Sequence, residues 1–475
     1  MINTILIFPV IACLIMLVVK NKTFDKLMVS LYALIHFIAT VLLLKGYGRG
    51  SCPYFAVDNV NMIFLLVLSL VFLMVGIYNF GYMKNLGFPD RKINHYSIMV
   101  LIFVLSMTGT ILSTDLAVSW ILIEATTLSS AYLIYFNKTK HSIEAAWKYV
   151  FICSIGIALA FVGIILLNIS TGAVNTMNFG ELYAHASEFD LIWLKLAFVF
   201  MLFGFGAKMG LAPIHFWLPD AHSEAPSPIS ALLSAALLNS AFLVIVRVFR
   251  IMELAGCTNY AKIILFVMGF LSLFVTTVFV YHIKNYKRML AYSSIENMGI
   301  LAIGLALGGV AYYAVILHLI GHSLAKASFF LTSGNVLELF DSKRIKSVSG
   351  LICADSKTGW LWVISFLAIC AFPTSVLFIS EFLIIKAMII EKHYLLCALF
   401  ALLLTIILFG IGRVVIKMAF GELSEDKAKL IEQNKNKVSV FMYLPQMVML
   451  IIVFVLGVYV PNCLDNIIKL AAGAF

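Results

Sequence analysis

The chain has 475 residues, 63% of them hydrophobic and only 12% charged, with a mean hydropathy of +1.04. Soluble domains run at about 45–50% apolar and about 25% charged, so this excess cannot be hidden in a water-soluble core and the chain reads as an all-α polytopic membrane protein. The apolar runs are continuous and do not alternate, which excludes a transmembrane β-barrel, and the net charge of +10 is better explained by membrane topology than by a nucleic-acid partner.

A spanning helix needs about 20 mostly apolar residues. Fourteen such segments follow in chain order, at 3–19, 27–45, 59–82, 95–112, 115–136, 142–169, 191–211, 228–251, 261–282, 290–307, 311–333, 359–388, 394–419 and 441–461. The run 359–388 is too long for one straight span and contains Pro373, so a kink or break is expected within it. The longest polar stretches, 170–190, 334–358 and 420–440, are too short for a soluble domain. The apolar N-terminus lacks a basic leader and a cleavage site, and is read as the first span. Twenty of the 33 Lys and Arg residues fall on one side of this topology, among them Lys84, Arg91, Lys284, Lys287, Arg288, Lys343, Arg344 and Lys435. Six fall on the other: Lys45, Arg49, Arg250, Lys262, Lys392 and Lys469. Under the positive-inside rule both termini are then expected outside. The eight cysteines form no CxxC and no zinc or iron–sulfur spacing, and Cys13, Cys153, Cys370 and Cys397 read as small core residues.

A charge at mid-bilayer costs at least about 2.5–3.5 kcal/mol on insertion scales, so ionisable residues inside the spans are the candidates for function. Lys208 ends a long apolar run, and four of the ten prolines, Pro213, Pro219, Pro226 and Pro228, follow it. Backbone freed by such a break is tolerated only against protein or water, so a hydrated cavity is expected beside the lysine. The alternative is a lysine snorkelling to the interface. Glu124 sits mid-helix near Thr126, Thr127, Ser129 and Ser130, placed either to pair with Lys208 or to pack two helices as a neutral acid. His318, His322 and Lys326 step by four and share one helix face, suited to a proton relay or to structural hydrogen bonding, with no carboxylate or thiol nearby to complete a metal site. Glu381 follows Pro373 and precedes Lys386, which suggests an ion pair or an acid on an exit path. Glu144 and Lys148 form an i,i+4 pair at a helix start, and Lys195, Arg247 and Arg413 near helix ends read as snorkelling anchors. Glu124 and Lys208 are 84 residues apart, Glu296 and Glu381 are 85 apart, and the offset is five helices, a hint of inverted repeats. There is no P-loop, no GxGxxG after a strand, no nucleophile elbow and no haem-attachment motif, so the chain reads as an ion conduit and not as a site of bond making.

The stretches "GAKMGLAPIHFWLPDAHSEAPSPISALLSAALLNSAF", "KRMLAYSSIENMGI", "HLIGHSLAKASFFLTSGNV", "FPTSVLFISEF" and "SIEAAWKYVFICSIGIALAF" resemble the antiporter-like subunits shared by respiratory complex I, Mrp-type antiporters and membrane-bound hydrogenases. The resemblance covers roughly residues 95–390. It implies fourteen helices arranged as helices one to three (1–94), a first repeat (95–251), a second, inverted repeat (261–419) and a C-terminal helix (441–475). It also implies translocation residues at Glu124, Lys208, His318, His322, Lys326 and Glu381. Where many complex I members have a lysine this chain has Asn239, so the bridging step falls to Asn239, water or a neighbour such as His222. Glu296 stands where those members often carry a neutral residue. The combination is most similar to the hydrogenase-4 and formate-hydrogenlyase group, component F type. That implies a proton- or cation-translocating subunit in a prokaryotic cytoplasmic membrane, with no cofactor of its own. Its expected partners are lipids, other membrane subunits, and the hydrogenase and iron–sulfur subunits of a peripheral arm that carry the nickel–iron and iron–sulfur centres. An Mrp-type or stand-alone antiporter and a complex I subunit are the alternatives.

Overall fold

The structure, a computed structural model, describes residues 1–48, 50, 52–85, 87–172, 174 and 176–474. Arg49 lies outside the described residues, as do the side chains of Lys84 and Lys435. In chain order the helices are α1 (Ile2–Val18), α2 (Lys22–Leu44), α3 (Asn59–Asn85), α4 (Asp90–Leu112), α5 (Leu116–Tyr135), α6 (Lys140–Thr171) and α7 (Phe179–Ala184). Then come α8 (Leu191–Met209), α9 (Trp217–Glu224), α10 (Ser227–Leu232), α11 (Leu238–Leu254), α12 (Thr258–Val280), α13 (Tyr286–Leu307) and α14 (Val310–Phe340). The last seven are α15 (Leu351–Ala354), α16 (Ser356–Ile369), α17 (Val376–Ile390), α18 (Tyr394–Phe420), α19 (Glu425–Asn434), α20 (Leu444–Val458) and α21 (Asn462–Ala472). Many of the helix starts are set by a short polar residue whose oxygen takes up otherwise orphaned N–H groups. Asp115 caps α5, Asp190 caps α8, Asn285 caps α13, Asp355 caps α16 and Ser375 caps α17.

Twelve helical stretches among the described residues are long and apolar enough to cross a membrane, counting α10 with α11 as one. The other two predicted segments are the 17-residue α1 and the run 359–388, which is broken as Pro373 suggested: α16 stops at Ile369 and α17 starts at Val376. The chain is thus a multi-pass helical membrane protein. Three short helices, α7, α19 and α21, lie in or beyond the polar stretches and have no long apolar run to announce them. Tyr313 on α14 donates to Asp465 of α21 at 2.8 Å and Lys469 pairs with the same carboxylate at 2.6 Å, which pins α21 in place.

The spans are not equally covered. The apolar windows of α10–α11, α13 and α14 are 100% buried in protein, against 39% for α2, α6 and α12 and 33% for α18. α11, α13 and α14 therefore form an inner layer, and the others meet the surroundings. Close approach depends on glycines: a Cβ on Gly204 of α8 would lie 2.5 Å from the Gly156 carbonyl and 2.6 Å from Ala160 of α6. Small residues at such crossings let membrane helices pack backbone to backbone, and this one sets the residues of α6 directly against Lys208.

Candidate ion-conducting axis

Lys208 lies on the last turn of α8 and is fully buried. Its ammonium donates to the Tyr149 hydroxyl of α6 at 2.8 Å and sits 4.7 Å from the centre of that ring. Tyr149 in turn lies 2.6 Å from Ser130 Oγ, and Ser130 donates to the Thr126 carbonyl at 2.5 Å. With the serine proton engaged there, the tyrosine O–H points at Ser130, so the hydrogen-bonded chain runs from Lys208 through Tyr149 and Ser130 and ends on the Thr126 carbonyl. Glu124 is half-buried and accepts from Thr127 at 3.0 Å and Ser154 at 3.2 Å. Glu124 and Lys208 thus face one cluster without direct contact: among the described residues no carboxylate oxygen comes within 4.0 Å of the ammonium. Tyr149 stands where a direct ion pair was expected.

Protein groups take up much of the backbone that the break after Lys208 frees. Gly210 adopts the left-handed conformation (φ 81°) and its N–H returns to the Ala207 carbonyl, while Leu211 N–H reaches Gly206. Trp217 donates its indole N–H to Ala207 at 2.8 Å, and Ser272 of α12 accepts from Ala212 N–H at 2.9 Å. The same indole packs on Tyr149, ring centres 4.9 Å apart. The break therefore builds the wall around the lysine.

Between α10 and α11 the chain makes one π turn, Leu233–Leu237, with Leu238 N–H bonded to the Leu233 carbonyl. Such turns are rare and concentrate at functional sites. Asn239 follows it directly and spans the gap to α14, donating Nδ2 to the Ala235 carbonyl and to Ser323 Oγ, each at 2.7 Å. Ser234 in the π turn lies 2.8 Å from Ser294 of α13. Ser294 donates to the Leu290 carbonyl at 3.2 Å, which also receives the buried Lys326 ammonium at 2.7 Å. The central groups of α11, α13 and α14 are thereby joined.

His318 is held on both sides: Nδ1 lies 2.9 Å from Ser380 Oγ and Nε2 lies 3.1 Å from Asn297 Oδ1. His322, one turn on, is fully buried with neither ring nitrogen partnered by protein among the described residues, and the same holds for His222 on α9. Asn239 Oδ1 is also unpartnered. Glu296 and Glu381 line one cavity of about 240 Å³ between α13, α16, α17 and α18, with Cys370 and Thr405. Lys386 is exposed and makes no ion pair with Glu381 among the described residues.

Several residues took other places than expected. Glu144 and Lys148 do form a pair at 2.5 Å, but Lys148 also reaches Asp220 of α9 at 3.2 Å. Arg247 is no free anchor: it is 8% exposed, pairs with Asp58 at 2.9 Å and lies 4.8 Å from the Phe179 ring. Lys195 and Arg413 do sit over aromatic rings near helix ends, those of Tyr260 and Tyr281. Lys287, counted above among loop cations, is fully buried. Nothing local marks Tyr149, Ser154, Asn297, Ser380 or the π turn as site elements, because each looks like ordinary helix filling until its neighbour is known.

Residues 113–408 match the family model described as NADH:quinone oxidoreductase/Mrp antiporter, TM. The chain is 31% identical over 473 residues to a Hydrogenase-4 component F homolog of Methylacidiphilum infernorum (isolate V4), covering 96% of each chain. It is 25% identical over 382 residues to a Na(+)/H(+) antiporter subunit of Bacillus subtilis (strain 168), covering 80% of this chain and 76% of that one. Its fold is that of a chain in the structure of the membrane-bound sulfane sulfur reductase, an archaeal respiratory membrane complex, with a TM-score of 0.87 at 23% identity over 99% of this chain and 97% of that one. A family match over more than half the length and a full-length relative above 30% identity agree: the chain belongs to the antiporter-like membrane subunits of the NADH:quinone oxidoreductase/Mrp antiporter family.

Proposed function

We propose that this chain is the proton- or cation-translocating subunit of a respiratory complex of the group 4 nickel–iron hydrogenase kind, which couples redox chemistry in partner subunits to ion movement. The observation that carries the reading is the series of buried, ionisable and hydrogen-bonding side chains from Lys208 and Tyr149, at the α6–α8 contact, through Asn239 and Lys326 to His322 and His318 of the inner layer. A purely structural bundle has no use for buried charge at this density. In the scheme, redox chemistry in the partners perturbs the cluster of Glu124 and Lys208. The Lys208 proton leaves along the hydrated centre, past Asn239, to Lys326, His322 and His318, with Glu296 and Glu381 nearer the exit. Glu144, Lys148 and His222 are accessory. Lys208 is then reloaded from the inner side.

By this reading the chain lies in a prokaryotic cytoplasmic membrane with both termini outside, and residues 95–251 and 261–419 are inverted repeats. The broken spans α8–α9 and α16–α17, five helices apart, support that division. Its partners are other membrane subunits, lipids, and the hydrogenase and iron–sulfur subunits of a peripheral arm. Among the described residues no three His, Cys, Asp or Glu side chains gather as a ligand set, and the reading assigns the nickel–iron and iron–sulfur centres to those partners. Lys208→Met in the native complex should abolish proton movement coupled to turnover while dye-linked redox activity of the soluble arm survives. Full pumping by the variant would overturn the scheme. The likeness to the Bacillus subtilis Na(+)/H(+) antiporter protein favours a second reading, an Mrp-type antiporter subunit. Co-purification separates them: nickel and iron–sulfur subunits in one case, small antiporter subunits in the other.

A further inference from the structure

The axis needs a path from water, and one cavity supplies it. A vestibule of about 1000 Å³ opens between α6, α9 and the start of α13, lined by Glu144, Lys148, Asp220, Glu224, Arg288 and Lys343 among others. These charges neutralise one another: Lys148 meets Glu144 and Asp220, Arg288 meets Asp220 at 3.1 Å, and Lys343 meets Glu224 at 3.0 Å. Three of its cations are thus matched by carboxylates, while Lys284, Arg344 and Asp341 also face it. It is a broad polar mouth on the face that carries most of the basic loops.

At its floor Asn285 donates to Ser223 at 2.8 Å and caps Lys287 N–H at 2.9 Å. Two residues beyond this vestibule-lining asparagine the chain turns Lys287 inward, fully buried. Its ammonium donates to the Ala225 carbonyl at 2.7 Å, at the extended joint between α9 and α10. That carbonyl is its sole hydrogen-bond acceptor among the described residues, although an ammonium has three donors. A neutral amide or hydroxyl would cap one carbonyl without the desolvation of a buried charge. Further in, three residues before Ala225, His222 is fully buried with both ring nitrogens unpartnered by protein. Its ring stacks on Phe330, centres 4.8 Å apart, and Phe330 stands one turn after Lys326 on α14. α9, which carries His222, packs on α13, which carries Lys287, and α10 packs on α14, which carries Lys326.

We propose that Lys287 loads the axis from the vestibule: its neutral amine takes a proton from vestibule water and gives it to the free ring nitrogen of His222, whose other nitrogen releases one toward Lys326. The inference rests on the translocation reading above and changes one step of it: the proton that reaches Lys326 is drawn from the vestibule, and Lys208 drives that step by its change of charge. Amine and imidazole nitrogens bind protons, whereas hard metal cations prefer oxygen ligands, so the ion taken up on this face is the proton. The charged groups facing Lys287 are Glu224 and His222 of α9 and Lys343 beyond α14.

The test uses the assembled complex in vesicles and reads protons taken up per electron transferred, with Lys208→Met as reference. Arginine keeps the charge and the bond to Ala225 but gives up no proton. Lys287→Arg and Lys287→Met should each lower uptake at least about tenfold, as loss of a positioned proton carrier does. Lys287→His should retain uptake with its inner-side pH midpoint moved toward neutrality. Wild-type uptake in Lys287→Arg would show a carbonyl cap and overturn the proposal, and an unmoved midpoint in Lys287→His would do the same where the other variants fail to assemble. If Lys208→Met is silent while Lys287→Arg pumps normally, only the uptake assignment falls. If Lys208→Met also pumps, the translocation reading falls with it.

Discussion

Tyr149→Phe isolates one oxygen atom on the axis. The phenyl ring keeps its packing on Trp217, 4.9 Å between centres, and the substitution removes the 2.8 Å bond from Lys208 and the 2.6 Å bond with Ser130. Ser130 keeps its bond to the Thr126 carbonyl, so the neutral side of the loss is small. Lys208 is fully buried and has no other hydrogen-bond acceptor among the described residues. A hydrogen bond to a charged group is worth about 1.5–3 kcal/mol. At about 1.4 kcal/mol per decade, the reloading of Lys208, which re-forms that bond, should become about ten- to a hundredfold less favourable, and pumping should slow with it. The assay is proton release into vesicles per turnover, with thermal unfolding in detergent as the fold control. A well-folded Tyr149→Phe complex that pumps at the wild-type rate would show that the hydroxyl is packing and that Lys208 works through another partner.

Gly204→Val places a side chain where a Cβ already lies 2.5 Å from the Gly156 carbonyl. Overpacking of this kind costs about 1–3 kcal/mol or more, so the unfolding midpoint and the accumulation of the complex should fall, and Gly204→Ala should fall less. Asn239→Leu deletes a 2.7 Å bond back to the π turn and another across to α14, and should slow coupled transfer about tenfold with the redox rate of the peripheral arm preserved; an unaffected pump would remove Asn239 from the path. Asp465 is held below the usual value of 3.8 by the Lys469 ammonium and the Tyr313 hydroxyl. A carboxylate depressed in the folded state stabilises above its unfolded value and loses that contribution as pH falls through the folded one. The protection factors of the α21 amides should therefore stay constant from neutral pH to about pH 4 and fall only below it, whereas a fall near pH 6 would contradict the assignment.

What was legible in the sequence follows from how local each signal is. A span announces itself by twenty apolar residues in a row, and the break near Pro373 by excess length plus a residue that cannot donate. Lys208 was legible because a lone amine in an apolar run is costly wherever the helix lies. Tyr149 was not: a tyrosine in a helix of Ala, Val and Ile is ordinary filling, and it becomes a partner only because Gly156 and Gly204 bring α6 against α8. Lys287 reads as a loop cation by its place beside Lys284 and Arg288. It is buried because the α9–α10 joint folds back to offer the Ala225 carbonyl, a tertiary event with no local trace. The π turn leaves no mark in "LLSAALL", since its register depends on what α13 and α14 present to it.

The inner layer also explains how a chain with so few charges keeps a charged axis in a membrane. The windows of α10–α11, α13 and α14 are covered by protein completely, so their polar groups never meet lipid, and the lipid-facing surface falls to sheath helices such as α2, α6, α12 and α18. In and beside that layer the buried polar groups divide into two kinds. Lys208, Lys326, Asn239 Nδ2 and His318 have fixed partners, which hold side chains in place. His222, His322 and Asn239 Oδ1 have none among the described residues. Buried polar atoms without partners are rare because they are costly, and where they occur they ask for a role. Under the proposed function, the open atoms of His222, His322 and Asn239 are the places where water can bridge the fixed groups into one chain.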